Sequence, residues 1–244
     1  MFLLFLCWGS FLNVLGYRLL YGHSLLISRS FCPSCNSTIA WYDLVPVLSW
    51  LFLRGNCRTC KTSISWLYPF IELLTALSLT ALYLTVPLAY FPAYFVLFSI
   101  LIVTIRTDLQ EMLIVRYMTL WVIPLGLLFS FTGCLPISLL ESILGAIMGY
   151  SILWLVKTVY YFFKKVEGMG EGDLELLAVI GAFTGPVGCW LTVMIGSIFG
   201  SLIGILLILI TKKSTTLKIP FGPFLALGAM LYVLFQNQIV LLLF

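Results

Sequence analysis

Charge is what this chain has least of. Of its 244 residues 9% are charged and 62% hydrophobic, with a mean hydropathy of +1.14, whereas soluble domains carry about 25% charged residues. That scarcity excludes a water-soluble globular domain and makes the chain an integral membrane protein. Alternating strands of about ten residues are missing, which excludes a membrane barrel. Several apolar runs of roughly 17 to 25 residues can instead each cross a ~30 Å hydrocarbon core as helices. The start of the chain lacks a basic leading segment and a small-residue cleavage site, and Arg18 follows its apolar run, so it reads as a first helix and not a removable leader. No glycine fingerprint of a dinucleotide-binding fold occurs. The single histidine, His23, has no second histidine to make a ligand pair and reads as a loop or interface residue.

Basic residues are missing from every second connection. Spans near 1–17, 67–86, 91–107, 117–133, 137–156, 174–187, 190–210 and 221–243 leave Arg18, Arg29, Arg54, Arg58 and Lys61 after the first. Arg106, at the end of the third span, and Arg116 belong to the third connection, Lys157, Lys164 and Lys165 to the fifth, and Lys212, Lys213 and Lys218 to the seventh. The connections around Pro87, Pro136 and Pro186 have none, so the odd connections face the cytoplasm and both termini lie outside. The net charge of +4 therefore reads as membrane orientation, and no nucleic-acid partner is expected. The fold class is an all-α polytopic membrane protein of about eight transmembrane helices. It divides into a first helix over 1–21, a small cytoplasmic domain over 22–66 and a seven-helix membrane domain over 67–244. The polar triple Gln236, Asn237 and Gln238 inside the last span has no explanation at this level.

The cytoplasmic segment contains CPSC at 32–35 and CRTC at 57–60, two pairs separated by 21 residues, close to zinc-ribbon spacing. Cys32, Cys35, Cys57 and Cys60 can close a tetrahedral shell round Zn²⁺, each x-x spacing letting one turn present two sulfurs. In a domain with so little core the metal would supply the folding free energy. A reducing cytoplasm argues against disulfides here. Cys7 reads as packing in an apolar span. Cys134 and Cys189, both near outer loops, could bridge, though packing is the better reading.

Carboxylates at a bilayer edge are costly and mark functional sites by default. Asp108 comes at the cytoplasmic end of the apolar run over 93–105, and Asp173 opens the run over 174–183 from the same side. The topology thus brings two carboxylates to one membrane depth. Two close carboxylates share one proton near neutral pH. The ionised one can then take a proton from water while the other hydrogen-bonds a scissile carbonyl, which is peptide hydrolysis without a covalent intermediate. Gly170 and Gly172 would let the backbone turn sharply and let a substrate chain approach beside Asp173. A helix N-terminus favours an acid through its macrodipole alone, so end charges remain the alternative. Glu111, Glu171 and Glu175 compete for the role; Glu72 and Glu141 fall inside spans.

GSFLNVLGYR at 9–18, CPSC with DLVPVLSWLFLRGNCRTC at 43–60, ISWLYPFIELLTA at 64–76, the aspartate of TDLQ, GMGEGD at 168–173 and IPFGPFLALGA at 219–229 occur in one order over nearly the whole chain. In that order they resemble the type IV prepilin leader peptidases, membrane aspartic proteases of the GxGD type. The resemblance implies that Asp108 and Asp173 are the catalytic pair and that Cys32, Cys35, Cys57 and Cys60 bind zinc. It implies type IV prepilins and related pseudopilins as substrates, with the basic leader cut after a glycine on the cytoplasmic side of the bacterial inner membrane, and N-methylation of the new terminus with S-adenosylmethionine. Gly55 and Glu72 border the cytoplasmic domain and are candidates for binding that methyl donor. Where the family has a Leu-Pro-Asp-like turn after its first aspartate, this chain reads LIVR at 113–116. A zinc-stapled scaffold for pilus or secretion assembly, without catalysis, is the alternative function. A carboxylate-coupled transporter is a third, disfavoured because the acids cluster at one face.

Overall fold

The computed structural model describes residues 1–22, 30–166, 168–211 and 219–243. His23, Arg29, Glu167, Lys212, Lys213 and Lys218, on which part of the loop and orientation reading rests, lie outside the described residues. Among the described residues the chain is helical with no strand, only the isolated bridges Phe31–Thr38 and Asn56–Ser63. Its elements are α1 (Phe2–Tyr21), α2 (Leu48–Phe52), α3 (Leu67–Thr85), α4 (Phe91–Glu111), α5 (Arg116–Phe131), α6 (Leu139–Lys164), α7 (Glu171–Thr211) and α8 (Gly222–Leu243). α1, α3, α4, α6 and α7 are long and apolar enough to cross a membrane; α5 and the stretch Gly222–Gln236 of α8 are shorter apolar helices.

The chain forms two compact units, Met1–Leu84 and Thr85–Phe244. In the first, Asn13 of α1 donates from Nδ2 to the Tyr68 carbonyl at 3.0 Å. Gly9 lets α1 lie against α3, where a Cβ would come within 2.9 Å of the Glu72 backbone. In the second unit α6 and α7 meet through glycine. A Cβ at Gly181 would lie 2.0 Å from the Gly145 carbonyl oxygen, and one at Gly149 would lie 2.4 Å from that of Leu177. The Ser142 hydroxyl donates to the Ala182 carbonyl at 2.5 Å across the same seam. In lipid, helices associate through such close backbone approach and interhelical hydrogen bonds, because hydrocarbon supplies little hydrophobic drive. Gly181→Val is therefore expected to separate α6 from α7, at a cost of roughly 3 kcal/mol or more since the obstacle is backbone. Thermal unfolding in detergent would show it as a large loss of stability, and an unchanged transition would contradict the seam.

Several boundaries differ from those read in the sequence. α4 continues through Arg106 and Asp108 to Glu111, so the expected third loop shrinks to 112–115 and Arg116 opens α5. Fully buried Arg106 stays in the helix, where it donates to the Gln110 side chain one turn on. The break expected between 187 and 190 occurs at Gly185 (φ 71, ψ −175). That conformation suits glycine, and the following Pro186 has no N–H to carry the helix across. Glu141 is not a mid-span charge: with Ser138 it forms a capping box at the start of α6. Gln236 lies 3.5 Å from the Tyr94 hydroxyl, which gives one member of the polar triple a partner between α4 and α8. Cys134 and Cys189 are both free thiols.

Candidate functional site

The cysteines are held by two copies of one turn. In the first, Cys32 N–H donates to the Ser37 carbonyl (3.0 Å) and Asn36 N–H to the Cys32 carbonyl (2.8 Å). In the second, Cys57 donates to Thr62 (2.9 Å) and Lys61 to Cys57 (3.1 Å). Asn36 and Lys61, each just after a pair, take positive φ of 54° and 60°, the left-handed step that turns both sulfurs the same way. All four Sγ atoms lie within 4.8 Å of one another, and Cys32 Sγ is 3.8 Å from Cys60 Sγ. A tetrahedron with metal–sulfur bonds of about 2.3 Å has edges of about 3.8 Å, so the donor set fits a metal such as zinc. Hydroxyls sit against two sulfurs, Ser37 Oγ at 3.0 Å from Cys35 and Thr62 Oγ1 at 3.1 Å from Cys60. These contacts lower the Cys35 pKa and bring that of Cys60 to about 6, while burial raises that of Cys32. The sequence reading missed the staple beside this cluster. Arg58 grips Asp43 with two bonds of 2.8 and 2.6 Å and stands 5.4 Å from the Tyr42 ring centroid. The Asp43 carboxyl is held below its ordinary pKa by the Arg58 hydrogen bonds.

Gly55 and Glu72 both have structural tasks in this unit. Gly55 has φ 69°, and a Cβ there would meet Trp50 Cζ2 at 2.9 Å; the same indole donates to the Ile64 carbonyl at 3.1 Å. Glu72 is buried, accepts the Val47 N–H at 2.7 Å and lies within hydrogen-bonding range of Ser10. No basic partner is needed for it. Val47 has φ 63° and ψ −51°, costly for a β-branched residue, so the carboxylate holds a strained backbone amide at the start of α2. Glu72→Ala is expected to release that turn and to destabilise the cytoplasmic segment by about 1–3 kcal/mol. Faster limited proteolysis within 30–66 would register this, whereas unchanged cleavage would remove the strut.

Asp108 and Asp173 lie at neighbouring ends of α4 and α7. Asp108, in the last turn of α4, is buried, and its Oδ2 accepts the Gly222 N–H at the start of α8 at 3.0 Å. Asp173, in the first turn of α7, is half-buried, lies in hydrogen-bonding range of the Gly170 N–H and feels the charge of Asp108. Ile114, from the turn between α4 and α5, packs against Gly172 and Gly222. A Cβ at Gly172 would come 2.7 Å from Ile114 Cβ, and one at Gly222 would come 3.2 Å from Ile114 Cδ1 and 2.7 Å from Asp108 Oδ2. Three helix ends and one turn thus meet around two carboxylates. Neither glycine has positive φ; Gly170 lies in the non-helical stretch before α7 and Gly172 within α7. Gly172 lacks a side chain because Ile114 occupies the space.

The competing acids point elsewhere. Glu111 and Glu171 are exposed; Glu171 is 3.6 Å from Lys157. Glu175 is buried and bound by Arg116 and Thr119. Gly222 and Ile114 carry no chemical group, so nothing in residue type marked them as part of the site. Gly222 does fall within the IPFGPF stretch.

Two family models match the chain: the Bacterial Peptidase A24 N-terminal domain over residues 3–86 and the Type IV leader peptidase family over 95–205. Among curated proteins, a "Prepilin leader peptidase/N-methyltransferase" of Aeromonas hydrophila is 36% identical over 221 residues, covering 89% of this chain and 75% of that protein. Proteins of the same name from Klebsiella pneumoniae and Pectobacterium carotovorum subsp. carotovorum are 37% and 32% identical, covering 76% and 90% of this chain and 84% and 86% of theirs. No solved structure gives a significant match.

Proposed function

Because the chain belongs to the type IV leader peptidase family, we propose that it cuts the basic leader from type IV prepilins and related pseudopilins, with Asp108 and Asp173 as an aspartate dyad. The observation that carries this reading is that Asp108, bound to the Gly222 N–H, and Asp173, next to Gly172, lie at neighbouring helix ends, with Ile114 packed against both glycines.

With one proton between the two groups, the ionised carboxylate takes a proton from a water molecule as its oxygen attacks the scissile carbonyl carbon. The protonated partner hydrogen-bonds the carbonyl oxygen as charge develops there. Collapse of the tetrahedral intermediate breaks the C–N bond, and a carboxyl proton passes to the leaving nitrogen. The Gly222 N–H holds Asp108 Oδ2 in one orientation throughout, which removes a rotational cost from the approach to the transition state. The basic residues of the odd connections support an orientation in the inner membrane with the dyad and the cysteine domain on the cytoplasmic side, so a leader would not need to cross the bilayer.

Cys32, Cys35, Cys57 and Cys60 would hold a structural Zn²⁺, which when bound supplies folding free energy to the segment around it. The names of the relatives extend the proposal to N-methylation of the new terminus. Gly55 is packed on Trp50, and Glu72 accepts the Val47 N–H. The proposal is tested by incubating the full chain, reconstituted in vesicles, with a prepilin and S-adenosylmethionine. Mass spectrometry of the product should give the mature N-terminus, methylated; an intact precursor would contradict the peptidase reading.

A further inference from the structure

We propose that Glu175 is a positioning residue: with Arg116 and Thr119 it fixes the turn at 112–115 so that Ile114 walls the site, and thereby limits the size of the substrate residue accepted next to the scissile bond. This rests on the leader-peptidase reading.

Glu175 is a buried carboxylate that the hydrolysis does not use. It follows Asp173 by two positions on α7, and helical residues two apart do not share a face. Its own partners come from the first turn of α5. Arg116 Nε reaches Glu175 Oε1 at 2.8 Å, and the Thr119 hydroxyl reaches Oε2 at 2.9 Å. The carboxylate side chain is 5% exposed and that of Arg116 64%. An exposed pair would hold little, but a buried carboxylate that loses its partner is left uncompensated, so the attachment is firm.

The other end of the turn is tied to the dyad. Met112 closes α4 in the left-handed region with φ 54°, its N–H donating to the Asp108 carbonyl at 2.9 Å. Only three residues, 113–115, separate this knot from Arg116, and Ile114 is the middle one. Its side chain sits where a Cβ at Gly172 or Gly222 would collide. A β-branched side chain held there narrows the space beside both aspartates, and it moves only if the turn moves.

Precursors carrying Gly or Ala immediately before the scissile bond provide the test, compared by initial rate in vesicles. Ile114→Ala and Glu175→Ala should each raise the rate on the Ala precursor relative to the Gly precursor by about tenfold, the scale of a few methyl groups in an apolar pocket. The double variant should discriminate no less than Ile114→Ala alone, because Glu175 acts through Ile114. Glu175→Gln, which can still accept from Arg116 and Thr119, should keep the wild-type ratio. A Glu175→Ala protein that slows on both precursors with the ratio unchanged overturns the proposal. So does a double variant that relaxes the ratio beyond Ile114→Ala. If the wild type cleaves neither precursor, the peptidase reading fails, and amide exchange over 112–115 decides the clamp: faster in Glu175→Ala supports it, equal rates overturn it.

Discussion

Asp108→Asn and Asp173→Asn are each expected to lower prepilin cleavage by at least about a thousandfold while leaving the protein inserted, since each removes a proton-transfer group that the transition state requires. Asparagine keeps the shape of the side chain. At Asp108 its amide oxygen can still accept the Gly222 N–H, so the meeting of α4 with α8 should survive. What is lost is the capacity to take or give a proton. Thermal unfolding of the Asp108→Asn protein should therefore match wild type within about 1 kcal/mol, which separates loss of chemistry from loss of fold. Inhibitors that acylate serine should leave the rate unchanged, because water attacks directly. Retained near-normal turnover in either variant would remove that residue from the dyad and favour the scaffold reading.

The second large effect concerns the cysteines. Replacing any one of Cys32, Cys35, Cys57 or Cys60 by serine should abolish stoichiometric metal and open residues 30–66 to protease. The two turns are each closed by two backbone hydrogen bonds, one hydroxyl–sulfur contact and one isolated bridge, with few buried apolar side chains beneath them. Of that segment's hydrophobic residues only Cys32 and no aromatic ring is buried, while Trp41, Phe52 and Trp66 are exposed. Such a segment has little besides the Asp43–Arg58 staple to offset its chain entropy once the metal is gone. Structural zinc binding is worth about 10–16 kcal/mol in small domains, so the shift should be large. Metal analysis of the purified, reduced protein is the check: one zinc per chain is expected, and four free thiols with no metal would contradict it.

The parts legible in the sequence are those whose chemistry is rare in a membrane. Carboxylates at the ends of apolar runs make Asp108 and Asp173 candidates, and paired cysteines at ribbon spacing point to the four-cysteine cluster that the fold brings together, because each carries a cost or a geometry that few other roles explain. Contacts between common residues left no such mark. Ile114 against Gly172 and Gly222 is an ordinary apolar side chain filling space that two glycines vacate. Arg116 and Glu175 looked like a loop charge and a helix-end acid until the folded chain brought α5 onto α7. Helix ends were misjudged for a related reason. Polar Arg106, Asp108 and Gln110 read as the end of a span, yet buried hydrogen bonds let α4 carry them for another turn. Glu141, three residues after Ser138, had the spacing of a capping box, but the apolar residues around it concealed an ordinary helix start.

The most direct test of the account is an initial-rate comparison of wild type, Asp108→Asn, Asp173→Asn and the double variant on one prepilin in vesicles, with the product identified by intact mass. Groups that act as one unit are non-additive. The prediction is that all three variants are slowed at least about a thousandfold, the double variant scarcely more than either single one. Losses that multiply in the double variant, or a single variant that still releases the leader at a rate near wild type, would mean that Asp108 and Asp173 do not form one catalytic unit.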